Sequence, residues 1–170
     1  MSLEKLKLLV LDVDGVLTDG KLYYGPDGDE LKAFNSRDGA GIKYLMRAGL
    51  DCAVLSGRDS AALRRRCEDL GIRHVIGGAR FKEPELEKLL EKLDLSPDEV
   101  GYVGDDLVDL PPMRVAGWSA CPCDAVREVR DAVDFVARAE GGRGAVREVI
   151  EHLLRAQGRW DGIMARYRGE

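Results

Sequence analysis

The chain has 170 residues, 45% hydrophobic and 34% charged, enough for one soluble domain with a core of its own. Its net charge of 26 − 31 = −5 excludes a nucleic-acid partner held mainly by phosphate contacts. No apolar run approaches the ~20 residues of a membrane span, which excludes a transmembrane chain. Residues 1–10 lack the long apolar centre of a signal peptide, so a cytoplasmic location is expected. Cys52, Cys67, Cys121 and Cys123 show no Cys-x-x-Cys spacing and read as reduced thiols, not as a zinc site.

In chain order, apolar runs alternate with amphipathic segments. "KLLVLDV" (7–13) reads as a strand buried on both faces. "KLYYGPDGDELKAF" (21–34) sets Gly-Pro-Asp-Gly between two short strand-like runs and predicts a β-hairpin. "DGAGIKYLMRAG" (38–49) and "DSAALRRRCEDLG" (59–71) have helical apolar spacing, with Gly49 and Gly71 where C-terminal caps belong. "DCAVLS" (51–56) is the strand between them. Further strands are "RHVI" (73–76), "EVGYVG" (99–104), "GWSAC" (117–121) and "VDFVA" (133–137). The helix "EPELEKLLEKLDL" (83–95) precedes a capping-box pattern, "SPDE", at Ser96 to Glu99. A last helix follows "GGRG", and residues 158–170 read as a helix extension or a loosely held end. His74 and His152 have no partner in sequence and read as structural or surface residues. The alternation predicts a single α/β domain over residues 1–170, a Rossmann-like three-layer sandwich with a central parallel sheet. Ligands of such a sheet bind beyond the carboxyl ends of its strands.

Four chemistry-bearing groups fall at those strand ends: Asp12-Val13-Asp14-Gly15, Ser56-Gly57-Arg58, Lys82, and Gly104-Asp105-Asp106 with Asp109 three residues on. Each alone is common. Together, in this order, they fit phosphoryl transfer through an aspartate. A hard cation such as Mg²⁺ takes carboxylate oxygens, waters and substrate phosphate, and Asp12 with an aspartate of the 105–106 pair can supply the carboxylates. Asp12 can attack phosphorus to form an acyl phosphate. Asp14 can protonate the leaving alcohol and then activate water. The Ser56 hydroxyl, backbone N–H groups near Asp14 and Gly57, and the Lys82 ammonium can hold the charge-rich transition state.

This set resembles the haloacid dehalogenase superfamily, whose signature is Asp-x-Asp, Ser/Thr, Lys and an acidic pair. The resemblance implies Asp12 as nucleophile and Asp14 as acid/base that also lends its backbone carbonyl to Mg²⁺. It draws the metal set from Asp12, Asp14, Asp105 and Asp106, with Asp105 favoured as the direct ligand of the pair. Over nearly the whole chain, "DVDGVLTDGKLYYGPDGDELKAFNSRDGAGIKYL", "SGR", "YVGDDLVDLP" and "GGRGAVREVIEHLLRAQG" resemble the 3-deoxy-D-manno-octulosonate (KDO) 8-phosphate phosphatases of bacterial lipopolysaccharide sugar synthesis. Those enzymes lack a separate cap domain, and only 41 residues separate Asp14 from Ser56 here, so a small β-hairpin stands in place of a cap. The resemblance implies a homotetramer built through the hairpin, with neighbours completing the active site and a tail that reaches it. It implies substrate contacts from Asn35, Ser36, Arg37, Asp38, Gly39, Lys43, Arg58, Arg66 and Arg143, beside the Gly57 backbone; these suit a phosphorylated sugar acid.

Four other readings compete, one of them a broad housekeeping phosphatase whose open, capless site would permit side activities. Related phosphatases act on nine-carbon sialic-acid-type 9-phosphates, but that branch typically carries glutamate at position 58, so Arg58 favours the eight-carbon sugar. A non-catalytic oligomerisation module of the same fold would not need the full set of catalytic residue types. A phosphoacceptor receiver opens with an acidic pair and lacks a late Gly-Asp-Asp, so the motif order argues against it.

Overall fold

Strand β1 (Leu8–Leu11) lies inside a six-stranded sheet, and none of its four side chains reaches solvent. A strand covered by helices on both faces requires an unbroken apolar run of this kind. The computed structural model describes residues 3–26 and 30–169. After β1 come β2 (Tyr23–Tyr24), β3 (Glu30–Leu31), α1 (Ser36–Arg47), β4 (Asp51–Leu55), α2 (Ala61–Leu70), β5 (His74–Ile76) and α3 (Lys82–Leu93). The second half contains β6 (Val100–Val103), α4 (Leu110–Val115), β7 (Trp118–Cys121), α5 (Arg127–Arg130), β8 (Phe135–Val136), α6 (Ala145–Ala156) and α7 (Trp160–Arg168).

The large sheet runs β5-β4-β1-β6-β7-β8, all parallel, with Leu11 level with Val54 on one side and Val103 on the other. Its six strands are those expected from sequence. Alternate residues of β1 serve two cores. Leu9 and Leu11 pack with Ile42 of α1, Leu63 of α2 and Leu153 of α6, whereas Leu8 and Val10 pack with Leu86 of α3 and Met113 of α4. That is the three-layer α/β sandwich. The chain runs from β1 out to β5 on one side and returns to β6 on the other, so the carboxyl end of β1 is a topological switch point, where a ligand crevice forms.

The hairpin is present: β2 and β3 pair antiparallel, Tyr23 with Leu31 and Tyr24 with Glu30. Of its expected turn, Asp27 and Gly28 lie outside the described residues, as does Glu170 of the tail. Ser96 to Glu99 forms a capping box in which the Ser96 N–H donates to Glu99 Oε2 at 2.9 Å. It heads only a three-residue 3-10 turn, because Val100 enters β6 directly. The tail is a helix fixed to the body. Trp160 is buried, the Arg147 guanidinium lies 4.7 Å from the Tyr44 ring centre and 5.5 Å from that of Trp160, and Arg159 donates to the Ala48 carbonyl at 2.7 Å. His152 stacks on Phe135 at 4.1 Å, and His74 Nε2 lies 3.2 Å from Asp51. The four cysteines are free thiols.

Candidate active site

Beyond β1 the chain continues for one residue in the sheet, the Asp12 N–H donating to the Val103 carbonyl at 2.9 Å, and then turns back. The Val13 carbonyl accepts from the N–H groups of Leu17 and Thr18, closing the turn. Gly15 has φ +91°, and a Cβ on it would stand 2.0 Å from Asp105 Oδ2. Only glycine permits that approach. A Cβ on Gly141 would stand 1.8 Å from the Gly15 carbonyl oxygen, so the "GGRG" loop packs directly on this turn.

Asp12 is buried, its side chain 8% exposed, and Lys82 Nζ lies 2.7 Å from its Oδ1. Lys82 opens α3 on the neighbouring side and reaches Asp109 Oδ1 at 2.7 Å as well. Asp109, fully buried, accepts from the Tyr102 hydroxyl at 2.8 Å on Oδ1 and from the N–H groups of Asp105 and Asp106 at 3.0 and 3.3 Å on Oδ2. Both its oxygens are therefore engaged. Asp12, Asp105 and Asp109 bring carboxylate oxygens within 4.8 Å of one another, and Asp105 Oδ1 is buried with no hydrogen-bond partner. An orphaned carboxylate oxygen among hard oxygen donors fits a divalent cation such as Mg²⁺. Asp12 and Asp105 have oxygens to offer it; Asp109 instead fixes Lys82 and the Asp105–Asp106 backbone.

Burial, reinforced by the Asp109 charge, pushes the Asp12 carboxyl up to about 6 despite Lys82. Burial and the charges of Asp12 and Asp109 push Asp105 up to about 8. Lys82 goes the other way from what burial alone would do: Asp12 and Asp109 hold its proton more firmly than usual. The two carboxyls keep their protons longer folded than unfolded. Without metal, their contribution to stability therefore falls as pH rises from about 4 to about 8. Saturating Mg²⁺ is expected to raise Tm more at about pH 8 than at about pH 5, where protons must first leave. Equal shifts at both pH values would contradict this.

The remaining expected residues divide. Ser56, 1% exposed, directly follows β4 beside β1, and its Oγ accepts from the Arg58 N–H at 3.2 Å. Gly57 lines a cleft of about 490 Å³ with Phe81, Lys82, Pro84 and Val108. Arg58 is exposed and donates to the Tyr24 hydroxyl at 3.5 Å, tying the hairpin to the loop after β4. Asn35 caps α1, its Oδ1 accepting from the Arg37 N–H and its Nδ2 donating to the Gly142 carbonyl. Ser36 and Arg37 are exposed in the first turn, and Arg143 is exposed with Nε 3.2 Å from Glu140. Lys43 stands about two helical turns further down α1, roughly 10 Å from the first turn, and does not join this cluster.

Five further expected residues lie apart from the carboxylate cluster or make structural contacts. Asp106 is exposed, and its carboxylate accepts from the Leu107 N–H at 2.7 Å; it caps a 3-10 turn and stays out of the metal cluster. The Asp14 carboxylate is also outside that cluster, paired with Lys32; it is the Asp14 backbone carbonyl, not this carboxylate, that the resemblance offers to Mg²⁺. Arg66 lies over the Phe34 ring and donates to the Asn35 carbonyl at 3.0 Å, filling the space that Gly39 leaves open, so the two brace this segment. Asp38 is buried beneath α6, accepting from the Arg147 N–H at 2.8 Å and the Gly144 N–H at 3.2 Å. It ties the "GGRG" loop and α6 to α1. Asp38→Ala is expected to cost about 1–2 kcal/mol, read as a lowered Tm; an unchanged Tm would contradict this role. Sequence reasoning missed Lys32 and Tyr102 as site residues, and it singled out Asp109 beside the acidic pair without giving it a role. Its spacing of three from Asp106 is a capping signal, and the two residues do form a capping box.

The family profile of haloacid dehalogenase-like hydrolases matches residues 24–117. The chain is 48% identical to the KDO 8-phosphate phosphatase KdsC of Escherichia coli K12, over 93% of this chain and 84% of that one. A crystal structure of the Moraxella catarrhalis KDO 8-phosphate phosphatase, in complex with magnesium ion, phosphate ion and KDO, superposes with a TM-score of 0.95 at 38% identity, covering 98% of this chain and 95% of that one. The cobalt-bound Haemophilus influenzae phosphatase superposes with a TM-score of 0.90 at 46% identity, covering 93% and 92%. Fold, strand-end aspartates and similarity along nearly the whole length agree: the chain belongs to the haloacid dehalogenase-like hydrolases and, within them, to the KDO 8-phosphate phosphatase family.

Proposed function

We propose that this chain is a Mg²⁺-dependent phosphatase that hydrolyses KDO 8-phosphate to KDO and inorganic phosphate. The observation that carries it is the buried Asp12 carboxylate, held by Lys82 beside the unpartnered Asp105 oxygen at the switch point. The substrate follows from the relatives, which are named for it. A cation held by Asp12 and Asp105 supplies positive charge where nucleophile and phosphate meet. Lys82 fixes Asp12 Oδ1, which leaves Oδ2 to attack phosphorus and form the acyl phosphate. The Lys82 ammonium, the Ser56 hydroxyl and the Gly57 N–H donate to the phosphoryl oxygens. Asp14 protonates the departing sugar oxygen and then takes a proton from the water that attacks the acyl phosphate.

The same reading makes the enzyme a homotetramer in the cytoplasm. Leu22, Tyr23, Tyr24 and Leu31 leave an exposed apolar face on the hairpin that a neighbouring copy can cover. Lys43, away from its own chain's cluster, is then available to a neighbour's site. Free cysteines suit a reducing compartment, and no described helix is long and apolar enough to cross a membrane. Phosphate release tests the substrate: KDO 8-phosphate against a nine-carbon sialic-type 9-phosphate, each with Mg²⁺ or EDTA. A metal-dependent preference for the eight-carbon sugar is expected. Preference for the nine-carbon sugar would overturn the reading of Arg58, and no release from either would favour a non-catalytic module.

A further inference from the structure

The hairpin carries a cation that the chemistry above does not use. Lys32 directly follows β3, yet its side chain is 1% exposed, while Leu31 beside it faces solvent. Its Nζ donates to Asp14 Oδ1 and lies 2.5 Å from Glu30 Oε1. Along an extended chain residues 30 and 32 share a face, so Glu30 and Lys32 turn together toward the strand-end turn of Asp14. An ammonium so placed loses hydration and persists only with anionic partners. The two carboxylates outweigh that burial and hold its proton above the usual lysine range.

We propose that Lys32 is a positioning residue for Asp14: the ion pair fixes Oδ1, leaves Oδ2 to exchange protons, and is itself held by Glu30. This rests on the acid/base reading of Asp14 given above. In the first step the bond from Asp12 Oδ2 to phosphorus forms, the bond from phosphorus to the sugar oxygen breaks, and the Asp14 proton passes to that oxygen. In the second, a water oxygen bonds to phosphorus, its proton passes to Asp14, and the bond to Asp12 breaks. Lys32 keeps its charge throughout and neither gives nor takes a proton. The hairpin thus serves proton transfer within its own chain, apart from any contact between copies.

A purely structural tie and a positioning role differ in their dependence on the leaving group. The sugar alkoxide needs a proton to depart; p-nitrophenolate does not. The experiment compares kcat/KM for KDO 8-phosphate and p-nitrophenyl phosphate, with Mg²⁺, in the full chain. Lys32→Met is expected to lose roughly tenfold or more on the sugar phosphate beyond its loss on the aryl phosphate. Lys32→Arg, which keeps the charge, recovers most of that difference. Asp14→Asn shows the same selectivity more strongly, on the order of 10²-fold, and in that background Lys32→Met adds no further selectivity. If Asp14→Asn is selective but Lys32→Met loses equally on both substrates, or on neither, the role of Lys32 is overturned alone. If Asp14→Asn loses equally on both, the acid/base reading falls and this inference with it.

Discussion

Asp12→Asn is expected to lose at least about 10⁴-fold in turnover of KDO 8-phosphate while keeping its fold. The change removes the attacking oxygen and one carboxylate for the cation, but alters neither side-chain volume nor the N–H that joins the Val103 carbonyl. It also removes a charge from a place where burial and Asp109 already oppose one. The metal-free variant is therefore expected to be at least as stable as the parent chain near pH 8. Phosphate release and thermal unfolding, measured on the same preparation, check both halves. A variant within tenfold of the parent rate would remove Asp12 from the nucleophile's role.

Lys82→Met has the largest expected effect on stability. Lys82 is the cation that both Asp12 and Asp109 contact, 4% exposed and 2.7 Å from each. Removing one partner from a buried ionic group leaves the others uncompensated, typically about 3–5 kcal/mol. The sign of its pH dependence follows from the raised carboxyls. Near pH 8 Asp12 is charged and the full cost is felt; near pH 5 the carboxyls of Asp12 and Asp105 hold protons, and the cost shrinks. Urea unfolding in EDTA at the two pH values reads this directly. A small loss, equal at both, would mean that Lys82 does not balance the cluster. Activity is expected to fall by on the order of 10²–10³-fold, since a phosphoryl donor and the anchor of Asp12 vanish together.

The sheet was legible because its physics is local. Strands covered on both faces need unbroken apolar runs, and all six stood out between amphipathic helices. Helix α4 was not, since Leu110–Val115 is short and has two prolines in its first turn, where they are tolerated but erase the helical pattern. At the site, Asp12, Lys82 and Asp105 were readable from motif order and strand position. Asp38, Arg66 and Asp106 matched substrate or metal positions, yet their side chains satisfy backbone groups: the N–H groups of Gly144 and Arg147, the Asn35 carbonyl and the Leu107 N–H. Which of two neighbouring aspartates turns inward depends on the fold around them. Asp105 faces Gly15; Asp106 faces its own 3-10 turn. Lys32 was hidden for a related reason. Directly after a two-residue strand, a buried lysine looks like any exposed one until its partner 18 residues away is known.

The covalent step is the centre of the account, and one measurement reaches it. The chain is mixed with ³²P-labelled KDO 8-phosphate and Mg²⁺, quenched in acid within the first turnover, and digested. Label is predicted on the peptide containing Asp12, absent with EDTA and absent in Asp12→Asn. Rapid phosphate release with no label on protein at any quench time, under conditions where an acyl phosphate survives, would contradict it.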